Sequence, residues 1–264
     1  MSAQTPLELW RTAKAADSAR PFVTAYDEAT GGRVELSYAT FDNWVSKTAN
    51  MLVDGLAAEP GDRVAIALPL HWQSLAWVLA CWSTGLTVVA AEPGTVPEAD
   101  IVVADAARLE AALATGAREV VGSSLHPLGL PLADCPPAAV DYSVEVRGYG
   151  DQFFAGSVDP AGSALEHGAA RFTGAEIAQA ARIRAEEWEL TAVDRVAIIA
   201  STTDPLLALG PDLSRFSAVL AGAAAVVLTP DLDSASLQSR LGMERVTAVV
   251  GRRFPSGSPL KSLT

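Results

Sequence analysis

Lysine is nearly missing from this chain of 264 residues: Lys14, Lys47 and Lys261 are the only three, so the long stretch between the last two has none. No Gly-Lys pair occurs, which excludes a Walker-type phosphate loop. Basic residues are scarce overall, 19 Lys and Arg against 31 Asp and Glu, giving a net charge of −12. No basic cluster exceeds the pair Arg252-Arg253, so no nucleic-acid face is expected, and an acidic surface repels anionic membranes. Cysteine is limited to Cys81 and Cys135, which rules out a disulfide framework and points to a reducing compartment. The three histidines, His71, His126 and His167, form no His-x-x-His or His-x-x-x-His pair, so no metal site is expected. Neither a Gly-x-Ser-x-Gly elbow nor a complete dinucleotide fingerprint is present, since Phe153 stands where Gly148-x-Gly150 would need its third glycine.

A secretion signal is also lacking, because the first residues have no basic-then-apolar order; the expected location is cytoplasmic. Residues 70–91 carry no Asp, Glu, Lys or Arg, enough for a bilayer span by length. His71, Gln73 and the break Ser83-Thr84-Gly85 interrupt them, so the reading is a buried helix, a turn and a buried strand. Cys81 in this run reads as a buried thiol, and His71 as a cap or core group.

What is present is a repeat. Gly61-Asp62-Arg63-Val64-Ala65-Ile66 returns as Val193-Asp194-Arg195-Val196-Ala197-Ile198. Each copy leads into an apolar helical stretch, then a glycine and a strand, at Gly85-Leu86-Thr87 and at Gly222-Ala223-Ala224. The second copy is longer, with an added loop expected around residues 202–212. The Asp-Arg pairs read as turn contacts or ion pairs at the start of a strand.

Helical spacing predicts an amphipathic helix within residues 1–20. Strands are expected at 22–26 and 33–36 with a turn at Gly31-Gly32. Phe41, Trp44, Val45, Thr48, Met51 and Leu52 form one stripe of a helix capped by Ser37. Thr173 and Glu176 spell a capping box for a helix over 174–188. Further elements are expected at 63–68, 100–104, 106–114, 119–121, 195–200, 234–241 and 246–250. Repeated strand–helix–strand units imply mainly parallel sheets covered by helices. The fold class is α/β with two similar, packed subdomains, residues 1–122 and 151–264, joined by a Pro- and Gly-rich crossing segment at 123–150.

The order Leu36-Ser37-Tyr38, Phe41, Gly-Asp-Arg-Val-Ala-Ile, apolar helix and Gly-Leu-Thr-Val-Val resembles the N-terminal part of the adenylate-forming enzymes. These are the acyl-CoA synthetases, luciferases and peptide-synthetase adenylation domains. The likeness is greatest to short actinobacterial AMP-binding-like proteins that look truncated. It implies a large domain of two similar α/β subdomains, with a Ser/Thr/Gly-rich phosphate loop ending in Pro-Lys-Gly ahead of the second capped helix. The matching run here is residues 155–164. Gly156, Ser157, Gly162 and Ser163 keep the small, donor-rich character of such a loop. The lysine is missing and Asp159 adds a carboxylate.

The family's aromatic-Gly-x-Thr-Glu motif is not found, and Lys261 lies among Ser and Pro without the surroundings of the family's C-terminal lysine. The expectation is an AMP-binding-like protein without catalytic residues, metal or cofactor, in a binding or assembly role. The alternatives are an adenylating enzyme that works with a second polypeptide, or a small-molecule sensor, with ATP or AMP as ligand. A homo-oligomer or a stable protein partner is expected, touching residues 216–227 or the segment of Trp72, Trp77 and Trp82.

Overall fold

The computed structural model describes residues 4–27, 31–126, 129–200, 205–254 and 258–263. Helix α1 (Pro6–Ala16) precedes a hairpin of β1 (Pro21–Tyr26) and β2 (Arg33–Ser37), and then α2 (Tyr38–Asn50). The first copy of the repeat supplies β3 (Arg63–Ala67), α3 (Trp72–Thr84), β4 (Thr87–Ala90), β5 (Ile101–Asp105), α4 (Leu109–Leu113) and β6 (Glu119–Ser123). The crossing segment holds β7 (Val140–Asp141) and α5 (Tyr142–Glu145). A second hairpin, β8 (Ser163–His167) and β9 (Ala170–Thr173), leads into α6 (Gly174–Glu187), β10 (Arg195–Ile199), α7 (Ser214–Ala221) and β11 (Ala225–Thr229). The chain continues through α8 (Ser234–Met243), β12 (Ala248–Val250) and β13 (Lys261–Leu263).

Helix starts follow side chains that can accept free backbone amides. Thr5 and Thr173 both form complete capping boxes, with Glu8 and Glu176. Ser37 caps α2, and His71 caps α3 through its side chain. Helix α4 begins later than the spacing predicts, because Asp105 Oδ1 first closes a turn onto the Arg108 amide at 3.1 Å.

Two sheets result, ordered β7-β6-β5-β3-β4-β8-β9 and β13-β12-β10-β11-β1-β2. Among the described strands, only the hairpins β1–β2 and β8–β9 pair antiparallel. Sheet membership cuts across the sequence division at 122 and 151. The N-terminal hairpin extends the sheet of the second copy, and β8–β9 extends the sheet of the first.

Alternation along the strands sets the layers. Val64 and Ile66 share one core with Val196, Ile198 and the helices α1, α2, α3, α6 and α7. Ala65 and Ala67 face α4 on the outer side of one sheet, and Ala197 faces α8 on the outer side of the other. The order is therefore helix, sheet, central helices, sheet, helix. Trp10, Phe22, Tyr38 and Phe41 pack with ring centroids 4.6–5.7 Å apart in the middle layer. The Tyr38 hydroxyl donates to the Ala224 carbonyl at 2.7 Å, tying the N-terminal region to the second copy.

The repeat is real in detail. Asp62 accepts from the Glu59 amide and Asp194 from the Thr191 amide, at 3.1 and 2.9 Å. Arg63 reaches Glu166 at 2.9 Å and Arg195 reaches Glu244 at 3.0 Å. Each Asp closes its own turn while each Arg pairs with another element. The two glycines are not equivalent, however. Gly85 takes a left-handed φ of 75°, and the position two residues ahead of the matching strand is Ala223, with φ 50°. Gly222 is kept small by packing: a Cβ there would lie 2.6 Å from Leu190 Cβ.

The expected partner-contact segments are interior. Trp72, Trp77 and Trp82 are all buried, against Trp44, Tyr142 and the Ala164 carbonyl respectively. Phe216, Ala218 to Leu220 and Ala224 to Val227 are likewise covered by the chain itself, because α7 and β11 build the central layer and its sheet. Of the expected added loop, Thr202, Thr203 and Asp204 lie outside the described residues; Leu206–Leu209 form a turn of 3-10 helix. Among the described residues no helix is long and apolar enough to cross a membrane.

Candidate functional site

The run from Tyr149 to Gly162 crosses the surface and is pinned by side chains from α1 and α2. Lys47 donates to the Tyr149 carbonyl at 2.5 Å. Asn50 Nδ2 donates to the carbonyls of Gly150 and Gln152, both at 3.0 Å, and Arg11 to that of Ala155 at 3.4 Å. The run ends in a tight turn where Gly162 N donates to the Asp159 carbonyl at 3.1 Å. Ala161 stands between Pro160 and Gly162.

Gly156, Ser157, Asp159, Gly162 and Ser163 all line one cavity of about 480 Å³. Its other walls include Trp82 and Thr84 of α3, Leu86, Val53 and Phe153. Trp82 is held by its indole donating to the Ala164 carbonyl at 3.0 Å, and β8 by Thr87 donating to the Ser163 carbonyl at 3.0 Å. Among the described residues Asp159 is the only charged one in the lining; no Lys or Arg reaches it. The space suits an uncharged or apolar small molecule better than a polyanion.

The backbone donors at the loop's closing turn and at the start of α6 are already used. Asp159 Oδ1 accepts from Ala161 N at 2.9 Å. At the start of α6, Gly174 N donates to the Gly162 carbonyl and Ala175 N to the Pro160 carbonyl, at 3.1 and 2.8 Å. Glu176 N donates to Thr173 Oγ1 at 3.2 Å. A helix N-terminus binds anions through such free amides, and here three of them are spent on protein oxygens. A backbone anion nest also needs alternating right- and left-handed residues. None from 151 to 167 has a left-handed φ.

The structure thus brings all five expected residues together, but around a mainly apolar cavity, with the amides of Ala161 and Gly162 bonded to Asp159. Its apolar wall pairs Phe153, within the run, with Trp82 of α3, far earlier in the chain, a meeting that sequence spacing does not signal. His167 stands outside this cavity, 2.5 Å from Glu92. His71 Nδ1 accepts from Gln73 N at 3.2 Å, and burial pushes its pKa down to about 4, so the ring is a neutral cap. Burial also raises the Cys81 thiol well above its ordinary range, which makes it an inert core group. Among the described residues no cluster of His, Cys, Asp and Glu could hold a metal ion.

Comparison with known proteins matches residues 10–142 to the AMP-binding enzyme family. A "TIGR03089 family protein" of Mycobacterium tuberculosis is 38% identical over 246 residues, covering 89% of this chain and 93% of that protein. Among solved structures, apo MatB from Rhodopseudomonas palustris superposes with a TM-score of 0.70 at 17% identity, over 93% of this chain and 49% of that one. An acyl-CoA synthetase of Brucella canis gives 0.73 at 15%, over 94% and 47%. The chain therefore spans about half the length of these two solved structures. At such identities the likeness is one of fold.

Proposed function

The chain belongs to the AMP-binding enzyme family, and we propose that it keeps the family's framework without the adenylation chemistry, serving instead to bind. The observation that carries this reading is Asp159. Its carboxylate accepts from the Ala161 amide, so the loop holds an anion of its own where a phosphate oxygen would go. With no cation among the described residues of the lining, a triphosphate would meet a carboxylate and no compensating charge. The cavity that remains, walled by Trp82 and Phe153, favours a small ligand over a purely structural role.

The test is ATP–pyrophosphate exchange by the purified chain across a panel of carboxylic acids, paired with calorimetric titration of ATP. Exchange at the level of the blank and a flat ATP isotherm are expected. Robust exchange with any acid overturns the proposal.

A further inference from the structure

A second cavity, of about 310 Å³, opens where β2, α2, α3 and the segment after α5 meet, and it shares no wall with the loop cavity. Its floor is aromatic. Trp44 from α2 and Trp72 from the first turn of α3 meet edge to face, with centroids 5.1 Å apart. Val34 and Leu36, two residues apart on β2, add an apolar side. The cavity is a half-open cleft rather than a sealed void, since Val34, Leu36 and Trp44 are only partly buried. Trp72 is 3% exposed, and its edge contact braces Trp44.

The rim is cationic. Among the described residues Lys47 and Arg147 both line it, and no carboxylate does, in a chain whose net charge is −12. Lys47 is neutralised by Asp151 at 3.0 Å. Arg147 donates one amino group to the Gly129 carbonyl and makes no ion pair among the described residues, so its charge stands uncompensated. The site also lies between the two halves of the fold: β2 belongs to one sheet, and α3 connects two strands of the other. Such junctions are where small-molecule pockets concentrate.

We infer that this cavity binds a small molecule with a flat apolar body and a single carboxylate-like head. The body packs on Trp44, which Trp72 supports, beside Val34 and Leu36, and the head meets Arg147. The volume admits one or two rings, at the small end of ligand pockets. The inference is independent of whether the chain adenylates anything.

The test is calorimetric titration of the full chain with 2-naphthoate, with its neutral analogue 2-naphthalenemethanol, and with the cationic 2-naphthylmethylamine. The acid is expected to bind at least roughly tenfold more tightly than the alcohol, as one charge-assisted contact gives, and the amine most weakly. Arg147→Gln, a change at an exposed position, should erase the preference for the acid while leaving the alcohol's affinity in place. Leu36→Trp, which fills the space, should abolish both. Equal affinity for acid and alcohol, an unchanged preference in Arg147→Gln, or flat isotherms for all three ligands at millimolar concentration with a normally folded chain would each overturn the inference.

Discussion

If Asp159 and the missing lysine are what deny this loop a phosphate, restoring the charges should restore binding. The perturbation is Asp159→Asn combined with Ala161→Lys. Asparagine keeps an oxygen to accept from the Ala161 amide, now 2.9 Å from Asp159 Oδ1, so the turn survives while its negative charge goes. A phosphate oxygen that approached this amide would come within roughly 4 Å of the carboxylate, where like charges cost about 1 to 4 kcal/mol between water-like and surface dielectrics. Asp159 is exposed, so the low end applies. A lysine at 161 adds a charge-assisted hydrogen bond, about 1.5 kcal/mol at its weaker limit. Together these give about 2.5 kcal/mol, a roughly 70-fold fall in Kd. Calorimetry with a non-hydrolysable ATP analogue at low and high salt reads it out, and the gain should shrink as salt rises. The reasoning fails if the double variant binds within twofold of the parent, or if the parent already binds ATP at micromolar concentration.

Three further outcomes are expected. Thr173→Ala removes the oxygen that caps α6 and should lower stability by about 1 kcal/mol in urea unfolding, with an unchanged m-value. Glu244 is held below its ordinary pKa of 4.5, chiefly by the hydrogen bond from Arg33, so its contribution is present at neutral pH and lost as pH falls through the depressed folded value. Glu244→Gln should therefore cost about 2 kcal/mol at pH 7, with Arg33 41% exposed tempering the effect, and the gap to the parent should narrow in urea melts towards pH 3. A fragment of residues 1–150 should give no cooperative melt by circular dichroism, because β1 loses β11 and β4 loses β8; mixing it with 151–264 should restore one.

The local elements were legible because local rules set them. The boundaries of β3 and β10 follow the Asp-Arg-Val pattern to within a residue, and the Thr173–Glu176 box is formed as its spacing predicts. The exchange of hairpins was not legible, since alternation tells that residues 21–26 form a strand but not which sheet completes it. Nor was the asymmetry of Gly85 and Gly222, because one answers to backbone conformation and the other to Leu190 across the core. At the site, residue types placed Gly156, Ser157, Asp159, Gly162 and Ser163 together. That the amides of Ala161 and Gly162 and the first amides of α6 would be spent on Asp159, Pro160 and Gly162 is a matter of three-dimensional pairing that composition does not encode. Trp44 and Trp72 read as helix stripe and core, and only their meeting across α2 and α3 reveals a cavity floor.

The residues that hold this fold are not those that would do its chemistry. The aromatic centre of Trp10, Phe22, Tyr38 and Phe41 contains none of the five loop residues, and the loop lies largely on the surface, where substitutions remove little packing. A framework can therefore persist while its phosphate loop is rewritten, and the fold alone does not establish activity. The loop's hydrogen bonds say more. A cradle built for a ligand leaves donors unmet until the ligand arrives, whereas the closing turn here and the start of α6 meet theirs from within, through Asp159 and the carbonyls of Pro160 and Gly162. A loop satisfied in that way gains little from a nucleotide, because any phosphate must first displace bonds the chain already makes.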